Sequence, residues 1–298
     1  MRKRFLKSLN FKGKEVKDMR KWSILMLIFG VVVFYSVVSA HAVTLGPGYN
    51  YLYFSNVENW IDNDVDQQIS VGDQFYGVLH TQNIESPFGA TVWSEDNVAA
   101  GGIDTLTGYF VSDVTGVIVH PGGQTHIALG PSAVDPNGIF TAADFAAGVV
   151  MKMWTDIGAG TVYTTTGPVA TDIANATDGN LWATLTTIDG YWYSHAPIIP
   201  PANPGEVVGD SWFGLNFVVN PIPGNIKIDD PLEAEFGILP VDIYGTSNLN
   251  ISLAGSPWQF TSQDPAVLAT PEPATMLLFG TGLIGLAGAA RRKLGKKK

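Results

Sequence analysis

Gly, Pro, Asn, Asp and Thr interrupt residues 43–270 about every eight to twelve positions, and this punctuation constrains the fold more than any other feature. It leaves room for strands and for very little helix. Between the breaks, apolar residues alternate with polar ones, so that each strand offers one face to a core. The segment contains no cysteine, so no disulfide supplements that core. The expected fold class is all-β, a β-sandwich or jelly-roll-like body with at most one or two short helices.

Taken in order, Tyr49 to Phe54 is aromatic enough to favour a strand, and Ser70 to Ile84 predicts a second, entered through Val71-Gly72-Asp73. Leu106 to Val111 and Val114 to Val119 flank Ser112-Asp113 and are expected as a hairpin. Val149, Met151 and Met153 fall on one face, as do Leu181, Ala183 and Leu185, and later Leu249, Ile251 and Leu253. Thr141 to Gly148 predicts a short helix, opened by a Thr-x-x-Asp capping box and closed by Gly148. Residues 197–205, with four prolines, form a loop, and residues 261–270 are expected as a linker that follows a secreted β-rich domain over 43–260. Val71-Gly72-Asp73 and Val208-Gly209-Asp210 open two similar octapeptides, for which shared strand-entry chemistry is a simpler account than duplication.

The two ends have a different character. Residues 1–22 carry nine Lys or Arg against Glu15 and Asp18, Ile24 to Val38 are uncharged, and Ser39-Ala40-His41-Ala42 offers small residues for cleavage. Residues 1–42 are therefore expected to be a signal peptide with a long basic region, and Met19 is a possible true start. At the other end, Pro271-Glu272-Pro273 precedes seventeen uncharged residues, 274–290, and a cluster with six Lys or Arg. A helix over 274–290 is just long enough to span a bilayer, and the basic cluster holds its end on the cytoplasmic side.

This C-terminal arrangement resembles the PEP-CTERM sorting signal of Gram-negative bacteria. Pro271, Glu272 and Pro273 fall on its signature, Gly280, Gly282, Gly285 and Gly288 on its Gly-rich helix, and Arg291 and Arg292 on its closing cluster, beyond which Leu294 to Lys298 are extra. The resemblance implies exosortase, a membrane transpeptidase, as processing partner, with signal peptidase acting at the other end. It further implies transient inner-membrane anchoring, removal of the tail near Pro-Glu-Pro, and delivery to the cell surface or extracellular matrix, where relatives contribute to biofilm or floc.

With both ends set aside, residues 43–270 hold only Lys152 and Lys227 as cations against 24 carboxylates, a formal charge of −22. Such a surface repels nucleic acid and anionic lipid, attracts divalent cations, and through them admits anionic polysaccharide as a partner. Asp62, Asp64 and Asp66 alternate in a candidate metal loop. Gln67 stands where an EF-hand needs Gly and Asp73 where it usually has Glu, so only a looser calcium site fits; an ordinary solvated acidic loop is the alternative. No other cofactor is indicated.

No catalytic residue is assigned. Gly209-Asp210-Ser211 resembles the opening of a lipase and esterase block, but the last histidine, His195, precedes Ser211 and Trp212 replaces the usual Leu. His80, His120, His126 and His195 are scattered, without recognised metal-ligand spacing. Tyr191, Trp192 and Tyr193 form the best aromatic platform for stacking a sugar. The expected function is a non-enzymatic surface or matrix protein, with a calcium-assisted carbohydrate-binding adhesin and a secreted hydrolase as alternatives.

Overall fold

Twelve elements follow one another among the described residues: β1 (Gly48–Ile61), β2 (Gln74–Glu85), β3 (Thr91–Ser94), β4 (Thr105–Val119), β5 (Thr125–Pro131), α1 (Ala142–Ala146), β6 (Val149–Asp156), α2 (Val169–Ala176), β7 (Asn180–Ala196), β8 (Val207–Val219), β9 (Ile243–Ile251) and β10 (Phe260–Thr270). The chain divides into two units, Met1–His41 and Ala42–Lys298. The computed structural model describes residues 48–95, 104–121, 125–156, 163–196, 207–219 and 241–270. The expected signal peptide, the sorting signal with its helix 274–290, and the loop 197–205 lie outside the described residues. Among the described residues no helix is long and apolar enough to cross a membrane.

Every strand pairing is antiparallel, and the sheet closes on itself. Around the ring the order is β2, β1, β10, β9, β8, β7 and then β4, which returns to β2. Between β7 and β4, β5 and β6 share one position, since β4 pairs β6 along Thr105 to Phe110 and β5 along Ser112 to Val119. The result is an eight-stranded barrel, not the sandwich or jelly roll expected. Closure removes the free edges that two stacked sheets would keep, and register shifts within six of the ladders supply the bends it needs.

Two local expectations are corrected. Ser112-Asp113 is no hairpin turn but the middle of β4, because neither residue supplies the positive φ of a tight hairpin and both are held sideways. Ser112 Oγ donates to the Gly130 carbonyl at 2.7 Å, and Gln74 Nε2 donates to Asp113 Oδ1 at 3.0 Å. Residues 261–270, expected as a linker, belong to β10, which pairs with β1 on one side and β9 on the other. The two octapeptides also part company: Gly72 turns at φ 102°, whereas Gly209-Asp210 lies inside β8.

Alternation along the strands makes two cores. Leu52, Phe54, Phe75, Leu79, Phe110 and Leu185 belong to the buried cluster that fills the barrel. Small residues make room for large ones: a Cβ on Gly245 would sit 2.2 Å from the Phe213 ring, its cross-strand partner. A second cluster, with Val57, Val78, Tyr109, Phe140, Tyr163, Ile173 and Trp258, lies on the outward face of β1, β2 and β4. There α1 and α2 add apolar surface that the strands alone would leave wet, each fully buried large side chain stabilising the fold by about 1.5–3 kcal/mol.

The predicted capping box of α1 is present, with Thr141 Oγ1 accepting from the Asp144 amide and Asp144 Oδ2 accepting from the Thr141 amide at 2.7 Å. Lys152 Nζ reaches the same carboxylate at 2.6 Å and ties α1 to β6. Desolvation raises the Asp144 pKa, but Lys152 and Thr141 outweigh it and hold the group below its ordinary value. α2 is pinned by buried Asp172, whose Oδ2 accepts from Trp258 Nε1 at 2.8 Å and whose Oδ1 accepts from the Gly167 amide at 3.0 Å.

Candidate functional site

The β1–β2 connection brings the three predicted carboxylates together: Asp62, Asp64 and Asp66 each offer an oxygen, all within 4.8 Å of one another. Backbone amides organise them. Asp62 Oδ2 accepts from the Gln67 amide at 2.7 Å, Asp66 Oδ1 from the Gln68 amide at 2.7 Å, and Ser70 Oγ donates to Asp64 Oδ2 at 3.1 Å. Desolvation raises the Asp62 pKa, but donors from Gln67, Asp64, Val65 and Asp66 together bring it below the usual value. Val65 and Gln67 both adopt φ 63°, so Gln67 takes up the left-handed conformation that an EF-hand obtains from Gly.

Asp73, the residue that spacing aligns with the twelfth ligand of a calcium loop, is otherwise engaged. Its Oδ2 accepts from the Ser70 amide at 2.8 Å and from Trp60 Nε1 at 3.2 Å, and its Oδ1 from the Asn63 amide at 3.0 Å. It anchors the loop to the barrel. The Asp135-Pro136-Asn137-Gly138 turn works similarly, since Asp135 accepts from Tyr109 Oη at 2.6 Å and from the Phe140 amide at 2.9 Å. Burial foremost, with the Asp135 hydrogen bond, pushes the Tyr109 phenol well above its usual pKa.

Two concavities flank the β1–β10 seam. Outside, a groove of about 460 Å³ is lined by Ser55, His80, Tyr163, Thr164, Asn250 and Gln263. Inside, the barrel keeps about 50 Å³ among apolar side chains, Asn56, Glu58 and Asp264. Asn56 Nδ2 donates to Asp264 Oδ2, and Ser262 Oγ donates to Glu58 Oε1 at 3.0 Å. Burial, together with repulsion by Asp264, raises the Glu58 pKa to about 8, and burial raises that of Asp264 to about 7. Neither concavity has a local sequence signal, because the residues of each come from segments that only barrel closure makes neighbours.

β10 runs to Thr270, with no separate tether between the barrel and Pro271. The family model for the PEP-CTERM protein-sorting motif matches residues 269–293. The chain carries a PEP-CTERM sorting signal. It is accordingly an exported protein with a C-terminal membrane-anchoring signal, and exosortase is its processing partner. Neither a curated protein nor a solved structure matches the chain. In this PEP-CTERM protein the first two matched residues, Ala269 and Thr270, pair with Tyr49 and Gly48 of β1, while Pro271, Glu272, Pro273, Arg291 and Arg292 lie outside the described residues.

The aromatic candidates separate by burial. Trp258 and Trp93 are buried, Trp60 is engaged with Asp73, and Trp182 packs edge-to-face on Phe217 with centroids 6.2 Å apart. Tyr191, Trp192 and Tyr193 stand within β7, with Trp192 opposite Phe213 and Tyr193 opposite Trp212. Their backbone belongs to the last part of β7, which ends at Ala196 directly before residues 197–205.

Proposed function

We propose that this PEP-CTERM chain is a non-enzymatic surface component whose barrel serves a structural or adhesive role in extracellular polysaccharide, biofilm or floc. The observation that carries the reading is the sorting motif, whose matched residues begin at Ala269 within β10, so that the barrel is the part of the chain the signal directly follows. The polar groove beside the seam supports it, since hydroxyl, amide and imidazole groups are the complement of a glycan's hydroxyls. The interior carboxylates Glu58 and Asp264 offer little to a glycosidase: an apolar cavity of about 150 Å³ accommodates benzene, and the space beside them is about 50 Å³. The test is expression in a host with and without its exosortase, following intact mass and location. Loss of the tail and arrival at the surface are expected only with the enzyme and only with Pro271-Glu272-Pro273 intact. Identical maturation of the P271A/E272A/P273A variant overturns the reading.

A second reading, a calcium-assisted carbohydrate-binding adhesin, is favoured by the convergence of Asp62, Asp64 and Asp66. In it the loop binds calcium and presents it to an acidic glycan. A glycan array with calcium or chelator decides: binding must require calcium and must be abolished by D62N/D64N, and calcium-independent binding excludes this version.

A further inference from the structure

The exposed aromatic side chains collect at one end of the β1–β10 seam. Among the described residues they are Tyr51, Tyr53 and Phe88, exposed at 37%, 37% and 95%. Tyr51 and Tyr53 are two residues apart on β1, so they share its outer face about 7 Å from each other along the strand. Phe88 lies in the β2–β3 turn, which begins directly after Glu85, the cross-strand partner of Tyr51. Asn83 Nδ2 and Tyr53 Oη both donate to that Glu85 carboxylate, at 3.0 and 3.5 Å, which holds the Tyr53 ring at its hydroxyl end. Single exposed apolar residues need no explanation, but a group of aromatic rings on a rigid wall marks a contact surface.

The same face leads into the outer groove of about 460 Å³. The next outward position on β1 is Ser55, which lines that groove, and on β10 Pro265 stands opposite Tyr53 and Gln263 opposite Ser55. Pro265 and Gln263 are exposed. The seam is therefore aromatic at one end and bordered by hydroxyl and amide groups at the other. Among the described residues no carboxylate, Lys or Arg lines the groove, and its imidazole, His80, is engaged through Nε2 with Glu95. In a body of formal charge −22 this is an uncharged strip. It has no cation to hold an anionic polymer, which the surrounding field repels.

We propose that the β1–β10 seam binds a neutral polysaccharide chain, with sugar rings lying on Tyr51 and Tyr53 and the hydroxyls of neighbouring units bonded in the groove by Ser55, Thr164 and Gln263. This rests on the surface-polysaccharide reading above, and adds the class of glycan and the place where it lies. A pyranose ring has an apolar C–H face and an edge of hydroxyls. A tyrosine ring meets the first through dispersion and the negative face of its π-system, and side-chain hydroxyls and amides meet the second. Both kinds of group stand on paired strands, so little ordering is needed when the chain binds. The site is separate from the acidic loop, and its ligand needs no calcium.

The test uses the full chain, purified in a detergent without a sugar headgroup and run by affinity electrophoresis through gels containing dextran, laminarin, galactomannan or alginate. Retardation by at least one of the three neutral polymers is expected, unchanged by chelator, with none by alginate. The dissociation constant is expected to rise at least tenfold in Y51A/Y53A and several-fold in Gln263→Ala, and thermal unfolding by circular dichroism shows whether the variants remain folded. In the wild type the bound polymer must also protect Tyr51 and Tyr53 from nitration by tetranitromethane, read by peptide mass mapping, which needs no variant. No retardation by any neutral polymer, full retardation of folded Y51A/Y53A, or Tyr51 and Tyr53 left unprotected overturns the proposal. Binding of alginate alone, lost with chelator, also overturns it and favours the acidic loop as the glycan site. Exosortase-dependent maturation is unaffected by any of these outcomes, so the two readings fail separately.

Discussion

Raising the pH from 5 to 8.5 is expected to weaken the barrel, and the effect is traceable to the two carboxyls inside it. Glu58 and Asp264 titrate near 8 and 7 in the folded protein, whereas an unfolded chain gives them ordinary carboxylate values near 4. A carboxyl whose pKa is raised by folding keeps its proton in the native state after the unfolded state has lost it. Between those two values the folded state binds more protons, and linkage makes stability fall as pH rises. Each unit is worth about 1.4 kcal/mol, and only the stretch from pH 5 to about 7 counts for buried Asp264 here, so its loss is about 3 kcal/mol, with a further contribution from half-buried Glu58. For a barrel of this size that corresponds to a fall in Tm of about 10 °C or more. Chemical denaturation followed by tryptophan fluorescence at intervals across this range measures it in the wild type, and the E58Q/D264N variant separates it from every other titration. The variant is expected to show a much flatter profile. A wild-type midpoint that is constant or rises from pH 5 to 8, or a slope the double substitution leaves unchanged, refutes the reasoning.

Three further outcomes follow from contacts described above. Lys152→Ala removes the cation that reaches Asp144 at 2.6 Å from a buried position and is expected to cost about 2–3 kcal/mol in urea denaturation, with the α1 amides losing hydrogen-exchange protection first. Asp172→Ala leaves Trp258 Nε1 and the Gly167 amide without their acceptor under α2 and is expected to cost about 3 kcal/mol, read as a lower thermal midpoint with altered near-ultraviolet dichroism. Gly77→Ala directs a Cβ to within 2.3 Å of the Val57 carbonyl oxygen, an atom of the β1–β2 ladder that cannot swing away, and is expected to cost about 3 kcal/mol or to prevent expression of folded protein; wild-type stability would show that β1 and β2 are not so closely apposed.

Features set by a few neighbouring residues were legible in the sequence. The capping box at Thr141 and Asp144 needs only a three-residue spacing, and the strands at β1, β2 and β9 announce themselves through aromatic content or alternation. Features set by register were not. Strict alternation places Val149, Met151 and Met153 on one face, yet a ladder irregularity between Val149 and Met151 sends Val149 to the outer cluster while Met151 and Met153 enter the barrel. Leu181 and Leu253, expected on apolar faces, are exposed at 54% and 73%. Barrel closure itself rests on β4 pairing back to β2 and forward to β5 and β6 at once, information carried by no local pattern. The three Asp of the loop were legible as a pattern, but the left-handed turn at Gln67 was not, because nothing about a glutamine predicts it.

The seam between first and last strands also determines how the molecule carries load. A pull applied at Thr270 runs along the axis of β10. That strand is flanked over most of its length by β1 and β9, so the tension is borne as shear by two rows of hydrogen bonds that must fail together. A tug between the amino end at Gly48 and the carboxyl end at Thr270 would instead peel the same seam one rung at a time. The architecture therefore resists a load applied along β10 far better than one applied across its two termini.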